Sequence, residues 1–330
     1  MKVAGFRRQS SMVTEPTGRV IPLLTPSRKV FLMAPISRRS ALGGALALMA
    51  STISSRPGIA APAAQLWQKW AANDPASRIV VDHQAWGTFL RRHLVEEPDG
   101  IYRLRYGEVS AADKQALDLY LEKLSNVQLH SLNPTEQFAY WINFYNALTV
   151  KTVLDHYPVK SIREISLGGS LLPSFITGGT GPWQAKLIEV GGEPVALDDI
   201  EHRILRPLFK DNRIHYAVNC ASIGCPTLVP APFTAASLQA MLDRSARLYV
   251  NHPRGVRADA GGLTVSSIYK WYQEDFGGNW PGVLAHLRRY ANPATTQMLA
   301  PFSTIQADAY DWQLNDAGTA SNTMQEPGRG

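Results

Sequence analysis

The chain has 330 residues, of which 45% are hydrophobic and 18% are charged, so it can bury a sizeable core. The net charge of +6 arises at the amino-terminal end, because residues 1–63 hold nine basic residues and one acidic residue, leaving 24 basic and 26 acidic residues elsewhere. That remainder has no basic cluster, which excludes a nucleic-acid-binding surface, and it indicates no other partner. The two cysteines, Cys220 and Cys225, are too few for a disulfide framework or a four-cysteine zinc site.

A leader is predicted at the amino-terminal end. Arg38 and Arg39 stand directly before the ten-residue apolar run 41–50, which is too short for a membrane-spanning helix of about twenty residues. Small residues follow at 60–64 and predict cleavage there. The pattern is typical of a twin-arginine signal peptide and predicts a periplasmic or secreted protein.

The predicted organisation has three parts. A signal peptide with an amino-terminal extension occupies 1–63, a single globular domain occupies 64–315, and a disordered tail rich in Gly, Asn, Thr and Pro occupies 316–330. Both Met1 and Met33 are candidate starts. No later segment reaches eighteen apolar residues, so no integral membrane segment is predicted in the mature chain.

The first part of the domain, 65–125, predicts helices from apolar residues at helical spacing. Its clearest helix is 111–125, which begins with a capping arrangement of Ser110 and Asp113. A longer helix follows at 134–156, with Asn133 as its N-cap. Because this helix is apolar nearly all round, we expect it to be buried at the centre of an α+β fold, mostly helical around a small β-sheet.

Three polar residues fall on one side of this otherwise apolar helix, namely Glu136, Asn143 and Asn146. Buried polar groups need hydrogen-bond partners. Two interpretations remain open: the stripe satisfies nearby loop backbone, or it lines a site.

The middle of the chain predicts a Gly-, Ser- and Pro-rich loop at 168–182, which lacks the spacing of a nucleotide-binding loop. A hairpin is predicted from 186–190 and 194–197. A helix then begins at Asp198, with Glu201 completing a capping box. His202 lies four residues after Asp198, on the side of the helix opposite its core face, and can pair with it.

The alternating pattern at 213–219 predicts a strand that leads directly into a turn containing both cysteines. Later elements are helices and one short strand. They are predicted at 233–249 (helix), 263–265 (strand), 268–276 (helix) and 281–290 (helix).

Several of these segments resemble one family. The stretches are FAYWINFYNALT at 138–149, DDIEHRILR at 198–206, IHYAVNCASIGCPTL at 214–228, SSIYKWYQEDFG at 266–277 and YDWQLN at 310–315. Their order, over about 75–315, is similar to that of the domain of unknown function 547 family. Two departures are Ala221, where the family pattern has Gly, and Gly224, where Ser is more usual. The resemblance implies a fold and an exported bacterial setting, and it implies no activity.

Cys220 is the candidate nucleophile, because a thiol in a tight turn can be exposed and activated. His202, oriented by Asp198, is the candidate base. His215 is excluded from that role if 213–219 is a strand, since it and Cys220 would face opposite sides. Asn143 or Glu136 would supply an orienting group or an oxyanion donor. These roles predict a cysteine hydrolase or acyl transferase of the cell envelope.

Two alternatives remain open. In the first, Cys220 and Cys225 form a structural disulfide in a non-catalytic binding or scaffold protein of the envelope. In the second, Cys220 binds a metal with His202 or His215 and Glu201, although no metal-spacing motif is present. No organic cofactor is predicted. The surrounding residues expected to contribute to binding are Glu136, Asn146, Glu201, His215 and Cys225. The distance between the two sulfurs and the position of the nearest imidazole distinguish these cases.

Overall fold

The computed structural model describes residues 61–167 and 181–319, and in them helices predominate over strands. The α-helices are α1 (Gln84–His93), α2 (Ala111–Ser125), α3 (Pro134–His156), α4 (Leu238–Val250), α5 (Ile268–Trp271), α6 (Trp280–Tyr290) and α7 (Pro293–Leu299). The strands are β1 (Leu94–Glu96), β2 (Tyr102–Leu104), β3 (Ile188–Val190), β4 (Glu193–Val195), β5 (Val256–Asp259), β6 (Gly262–Ser266) and β7 (Ala307–Ala309). The predicted class, α+β and mostly helical, is confirmed.

Helix α3 is the buried centre of the main hydrophobic core, as its composition predicts. The Asn133 side chain accepts a hydrogen bond from the Glu136 amide, and Pro134 occupies the first turn, where its missing N–H costs nothing. Nearly every side chain from Glu136 to Leu154 is buried, and the aromatic ring of Phe144 is completely enclosed. The helix packs against α2 and against the helical segment that begins at Asp199.

That segment, Asp199–Phe209, is a π-helix and corrects the predicted capping box at Asp198. Asp198 has helical backbone angles and caps nothing. Asp199 is bound instead: its carboxylate accepts the Ala196 amide at 2.8 Å and pairs with Arg203 at 2.9 Å. A π-helix is wider than an α-helix and is found disproportionately at functional sites.

The segment predicted as a strand at 213–219 is a short 3₁₀-helix, Asn212–Tyr216, so that prediction is wrong. The Asp211 carboxylate accepts the Arg213 amide at 2.9 Å, and the amides of Ala217 and Val218 return to the Ile214 carbonyl. Local hydrogen bonds therefore satisfy the backbone. Because the segment is helical, the rule that separated His215 from Cys220 on opposite faces of a strand does not apply.

The sheets are small, and long-range pairing decides which short segments join them. The predicted hairpin is present as β3 and β4, which pair antiparallel. The strand predicted at 263–265 is β6, which pairs antiparallel with β5 and parallel with β7. Sequence patterns did not predict β7, the β1–β2 hairpin or α7.

Residues 310–316 fold back over the turn that contains the cysteines. The Ile223 amide donates to the Gln313 carbonyl and the Gly224 amide to the Asp311 carbonyl, both at 2.8 Å. Asp316 is buried and is followed by a 3₁₀ turn, so the structured part continues past the predicted start of the tail.

Three predictions fall wholly or mainly outside the described residues: the leader, most of the loop at 168–182, and the end of the tail. Within the described residues, no helix is both long and apolar enough to cross a membrane.

Candidate functional site

A cavity of about 360 Å³ lies between the π-helix, the cysteine turn, α5 and the 310–312 segment. This volume is in the range of small-molecule sites. Its lining combines six large aromatic side chains with thiols, carboxyls and imidazoles. The aromatic residues are Tyr145, Trp183, Trp271, Tyr272, Tyr310 and Trp312, and the ionisable ones include Asp198, Glu201, His202, His215, Cys220 and Cys225.

Two asparagines fix the cysteine turn. The Asn146 side chain, from α3, donates to the Ala217 carbonyl and accepts the Asn219 amide, both at 2.8 Å. The Asn219 side chain in turn accepts the Ala221 amide and donates to the Pro226 carbonyl. Ala221 has a φ of 59°, in the left-handed region that favours glycine. The Gly expected there in the family pattern thus has a backbone reason.

The two thiols lie together at one end of the cavity. Their Sγ atoms are 3.1 Å apart and unbonded, and the Cys220 amide approaches the Cys225 sulfur at 3.1 Å. The Cys220 sulfur also lies 3.3 Å from the Ser222 hydroxyl and 3.1 Å from the Tyr310 hydroxyl. Cys220 is partly exposed, whereas Cys225 is buried.

The surroundings drive the pKa values of the two thiols in opposite directions. A hydrogen bond from Cys225 is the largest cause of the lowered pKa of Cys220; burial opposes it, and hydrogen bonds from Ser222 and Tyr310 support it. Burial, together with the bond to Cys220, raises the pKa of Cys225 well above its ordinary value. In the neutral pair the Cys220 thiol donates to the Cys225 sulfur. The opposite pKa shifts make Cys220 the thiol that ionises first, and Cys225 then donates to it.

The two histidines are held by carboxylates, not by the thiols. His215 Nε2 lies 2.7 Å from Asp275 Oδ2, and its ring stacks on Tyr272 with centroids 4.0 Å apart. His202 Nε2 lies 3.6 Å from Asp198 Oδ1. In the described part of the chain, no hydrogen bond joins either imidazole to a sulfur, and the role of His202 as a base for Cys220 stays a prediction.

Two carboxyl groups of the cavity differ sharply in pKa. Burial, reinforced by the negative charges of Glu201 and Asp199, raises the pKa of Asp198 to about 6. Burial opposes ionisation of Glu201 as well, but the neighbouring His202 and His215 outweigh it and lower its pKa to about 2. Asp198 is thus the carboxyl that can carry a proton in mildly acidic to neutral solution, beside a Glu201 that stays ionised.

Arg206 does not line the cavity but binds residues beside it. Its Nε lies 2.6 Å from Asp275 Oδ2, and its Nη1 donates to the Pro62 carbonyl at 2.6 Å. The guanidinium also stands 5.2 Å from the centre of the Tyr272 ring. It therefore connects the π-helix to the residues around Asp275 and to the first described residues of the chain.

The structure brings together six of the predicted site residues and leaves three outside. Asp198, Glu201, His202, His215, Cys220 and Cys225 line the cavity. Asn146 lies behind it and shapes the cysteine turn. Glu136 accepts the Val81 amide at 2.7 Å, and Asn143 binds the amide and carbonyl of Phe233. Glu136 and Asn143 do not line the cavity, so neither contributes the predicted oxyanion donor.

Sequence reasoning missed the residues that the carboxy-terminal part contributes. Tyr272 and Asp275 bind the π-helix residues and His215, and Tyr310 binds Cys220. All three occur in the segments 266–277 and 310–315 that carry the family resemblance, and this was the signal that could have identified them. Among the described residues, no group of three His, Cys, Asp or Glu side chains has a geometry that could hold a metal ion.

Residues 129–250 match the family described as "Protein of unknown function, DUF547", which confirms the resemblance inferred from the motifs. The matched range contains α3, the π-helix and the cysteine turn. Neither the curated proteins nor the solved structures contain a match to the chain.

Proposed function

We propose that this chain, which matches the DUF547 family over residues 129–250, is a thiol-dependent acyl hydrolase or acyl transferase with Cys220 as its nucleophile. One observation carries the proposal: the Cys220 sulfur faces a cavity while three donors stand within 3.3 Å of it. These are the thiol of Cys225 and the hydroxyls of Ser222 and Tyr310. A thiolate held in this way needs no adjacent imidazole to remove its proton.

In the first step, the Cys220 thiolate attacks the carbonyl carbon of an ester or amide, and a sulfur–carbon bond forms. The carbonyl oxygen gains negative charge and needs donors. The Ser222 and Tyr310 hydroxyl oxygens lie 2.8 Å apart, so one hydroxyl donates its hydrogen to the other. The hydrogen of the second hydroxyl remains available to the carbonyl oxygen of the substrate. These are the hydroxyls in contact with the sulfur, and they take the role that the sequence predicted for Asn143.

The tetrahedral intermediate collapses when its carbon–oxygen or carbon–nitrogen bond breaks and the leaving group takes a proton. Asp198 lines the same cavity, and its pKa of about 6 suits a proton donor. Water, or an acceptor alcohol or amine, then attacks the thioester. The acyl group leaves Cys220, the thiolate is restored, and Asp198 recovers its proton from the attacking nucleophile.

The cavity walls favour an acyl group that is apolar or aromatic. The indole rings of Trp183, Trp271 and Trp312 face the space, and Tyr310 packs on Trp271 and Trp312 with centroids 4.8 and 4.6 Å apart. Burial of such a group against aromatic rings provides binding free energy without a specific polar contact. The predicted twin-arginine leader supports a cell-envelope location as part of this proposal.

Activated acyl esters test the proposal. Reduced protein is mixed with p-nitrophenyl esters of increasing acyl size, and both p-nitrophenol release and intact mass are followed. We expect transient acylation of Cys220 and at least a hundredfold loss of turnover in Cys220→Ser, because a serine hydroxyl at this position has no base to activate it. Cys225→Ser is the matched variant and should retain acylation at a reduced rate. Equal turnover in Cys220→Ser and the unaltered protein would contradict the proposal.

In a second candidate function, the chain is a non-catalytic binding or scaffold protein of the envelope, and a structural Cys220–Cys225 disulfide crosslinks the turn. The 3.1 Å between the two sulfurs and the lack of an imidazole hydrogen bond to either favour it within the described structure. It predicts no acylation by any ester and a disulfide that persists in the isolated protein. The same mass measurements therefore decide between the two candidates.

A further inference from the structure

The donor role that the proposed acyl transfer gives to Cys225 does not require a thiol, because a hydroxyl could donate in the same way. The Cys225 sulfur is buried and lies 3.1 Å from that of Cys220, which is partly exposed, and both residues line the cavity. The sulfurs of a disulfide are about 2.05 Å apart, so the pair closes with a movement of roughly 1 Å. A partly exposed thiol with a second thiol in contact with it is the arrangement that a reversible oxidation needs.

We propose that hydroperoxides oxidise Cys220 and that Cys225 converts the product into a reversible disulfide, which switches the site off. The oxidation itself depends only on the two thiols and the cavity. Its consequence for catalysis rests on the proposed function, because the switch matters only if Cys220 is the nucleophile.

The first step joins one oxygen atom to Cys220. The thiolate attacks an oxygen of ROOH, a sulfur–oxygen bond forms and the oxygen–oxygen bond breaks. The alkoxide that leaves takes a proton from the solvent and departs as an alcohol. Sulfur is oxidised to a sulfenic acid and the peroxide is reduced. The Ser222 and Tyr310 hydroxyls, at 3.3 and 3.1 Å from the sulfur, are in position to donate to the departing oxygen.

The second step uses the Cys225 thiol. The Cys225 sulfur attacks the sulfenic sulfur, the sulfur–oxygen bond breaks, and the hydroxide leaves with the Cys225 proton as water. The product is the Cys220–Cys225 disulfide. A small dithiol reductant reverses the reaction, because it attacks the disulfide and is itself oxidised.

Two features favour this outcome over further oxidation of Cys220. The Cys225 sulfur is buried and lies 3.1 Å from that of Cys220, so it does not have to enter from solvent. Three tryptophans of the cavity wall favour an organic hydroperoxide with an apolar group over hydrogen peroxide.

The experiment treats the reduced protein with stoichiometric cumene hydroperoxide or, in a parallel arm, hydrogen peroxide. Intact mass and free thiols are measured. We expect loss of two hydrogens and of both thiols, complete recovery with dithiothreitol, and a faster reaction with cumene hydroperoxide. Hydrolysis of p-nitrophenyl esters should fall in proportion to thiol loss and return with reduction.

Matched serine variants assign the two roles. Cys225→Ser should stop at the sulfenic acid, gain one oxygen and react with dimedone, and Cys220→Ser should keep its mass. Cys225→Ala provides a second variant, and circular dichroism establishes that each variant is folded. Three results would overturn the inference: thiols that survive the peroxide, a disulfide that dithiothreitol does not open, or Cys225→Ser that forms no sulfenic acid. Acylation of the reduced protein is measured separately, so its failure would remove the proposed function and leave the oxidation chemistry standing.

Discussion

The reactivity of the Cys220 sulfur depends in part on the hydroxyl of a residue that lies ninety positions later in the chain. Tyr310 places its hydroxyl 3.1 Å from Cys220, and this contact is one cause of the lowered pKa of that thiol. Hydrogen bonds to charged groups contribute roughly 1.5–3 kcal/mol. Removal of this hydroxyl should therefore affect the thiolate far more than it affects the fold.

We expect Tyr310→Phe to raise the pKa of Cys220 and to slow its alkylation by iodoacetamide about tenfold at neutral pH, since a hydrogen bond to the thiolate is lost. The measurement is the rate of alkylation as a function of pH. Tyr102→Phe is the control, because Tyr102 donates its hydroxyl hydrogen to Glu96 on the β1–β2 hairpin. An unchanged pH profile in Tyr310→Phe would show that the hydroxyl does not stabilise the thiolate.

Gly224 permits the close approach of the 310–311 segment to the cysteine turn. A Cβ atom at this position would lie 2.7 Å from the Asp311 amide nitrogen and 2.8 Å from its carbonyl oxygen, closer than real contacts allow. These are backbone atoms and cannot move away cheaply.

Gly224→Ser should therefore destabilise the protein by about 1–3 kcal/mol and slow alkylation of Cys220, because the added atoms displace Tyr310. Chemical denaturation and iodoacetamide labelling measure the two effects. Gly261→Ser provides the comparison, since a Cβ there meets only the Asp259 side chain at 3.1 Å and should change stability by less than about 0.5 kcal/mol. Normal labelling in Gly224→Ser would mean that the segment adjusts without moving Tyr310.

Among the elements, helix α3 determines where the site is built. Its buried face contacts the core, and its Asn146 side chain fixes the backbone on either side of Val218. Of the polar stripe that the sequence predicts, Asn143 and Asn146 satisfy loop backbone, as the simpler interpretation proposed. Asn146 does so next to the cysteines and thus affects the site through the turn.

Phe144→Ala should cost about 3–5 kcal/mol of unfolding free energy, because this ring is completely buried and its removal leaves a cavity in the main core. Urea denaturation followed by circular dichroism gives the value. Leu119→Ala on the exposed side of α2 is the control, with Leu119 half exposed and an expected change under about 0.5 kcal/mol. A cost below about 1 kcal/mol for Phe144→Ala would contradict the central position of α3.

The elements that sequence patterns predicted well are those with strong local signals. Helices α2 and α3 begin at side-chain caps that are visible in the sequence, Ser110 and Asn133, and both form the expected bonds. The segment 213–219 was predicted wrongly because its alternation resembles a strand, while the Asp211 cap and the absence of a partner strand favour a 3₁₀ turn. Strand β7 has only three residues and gains its hydrogen bonds from β6, forty residues away, so no local pattern marks it.

For the molecule as a whole, buried histidines set the response to acid. Burial lowers the pKa of His83 and of His286 to about 4, from an ordinary value of 6.5. The unfolded chain therefore binds these protons more readily between pH 6.5 and 4. The stability contribution is complete above pH 6.5 and is lost as the pH falls toward 4. Asp198, with its raised pKa, acts in the opposite direction between about pH 6 and its ordinary value of 3.8.

We expect each of these histidines to reduce unfolding free energy by about 2–3 kcal/mol between pH 7.5 and 4.5, and His286→Gln to remove its share of that slope. Urea denaturation at both pH values tests this. His130→Gln, at an exposed position, should leave the slope unchanged. An equal slope in His286→Gln and the unaltered protein would mean that folding does not lower the pKa of His286.

The candidate site was only partly accessible from sequence. Cys220 and the Asp198–His202 pair could be identified from local motifs, and all of them line the cavity. The direct His202–Cys220 contact could not be tested from spacing, because it depends on how the π-helix faces the cysteine turn. The donor Tyr310 is near Cys220 only because residues 310–313 return across the cysteine turn.

That return has a consequence for the order in which the protein matures. Every backbone bond between the 310–315 segment and the cysteine turn joins residues about ninety positions apart, so loop closure delays it relative to the local helices. A chain that has been synthesised only as far as α7 already contains both cysteines and most of the cavity wall, yet it lacks the Tyr310 hydroxyl. Until that last segment docks, the Cys220 thiol lacks one of the hydrogen bonds that lower its pKa, so its full reactivity requires a completed fold.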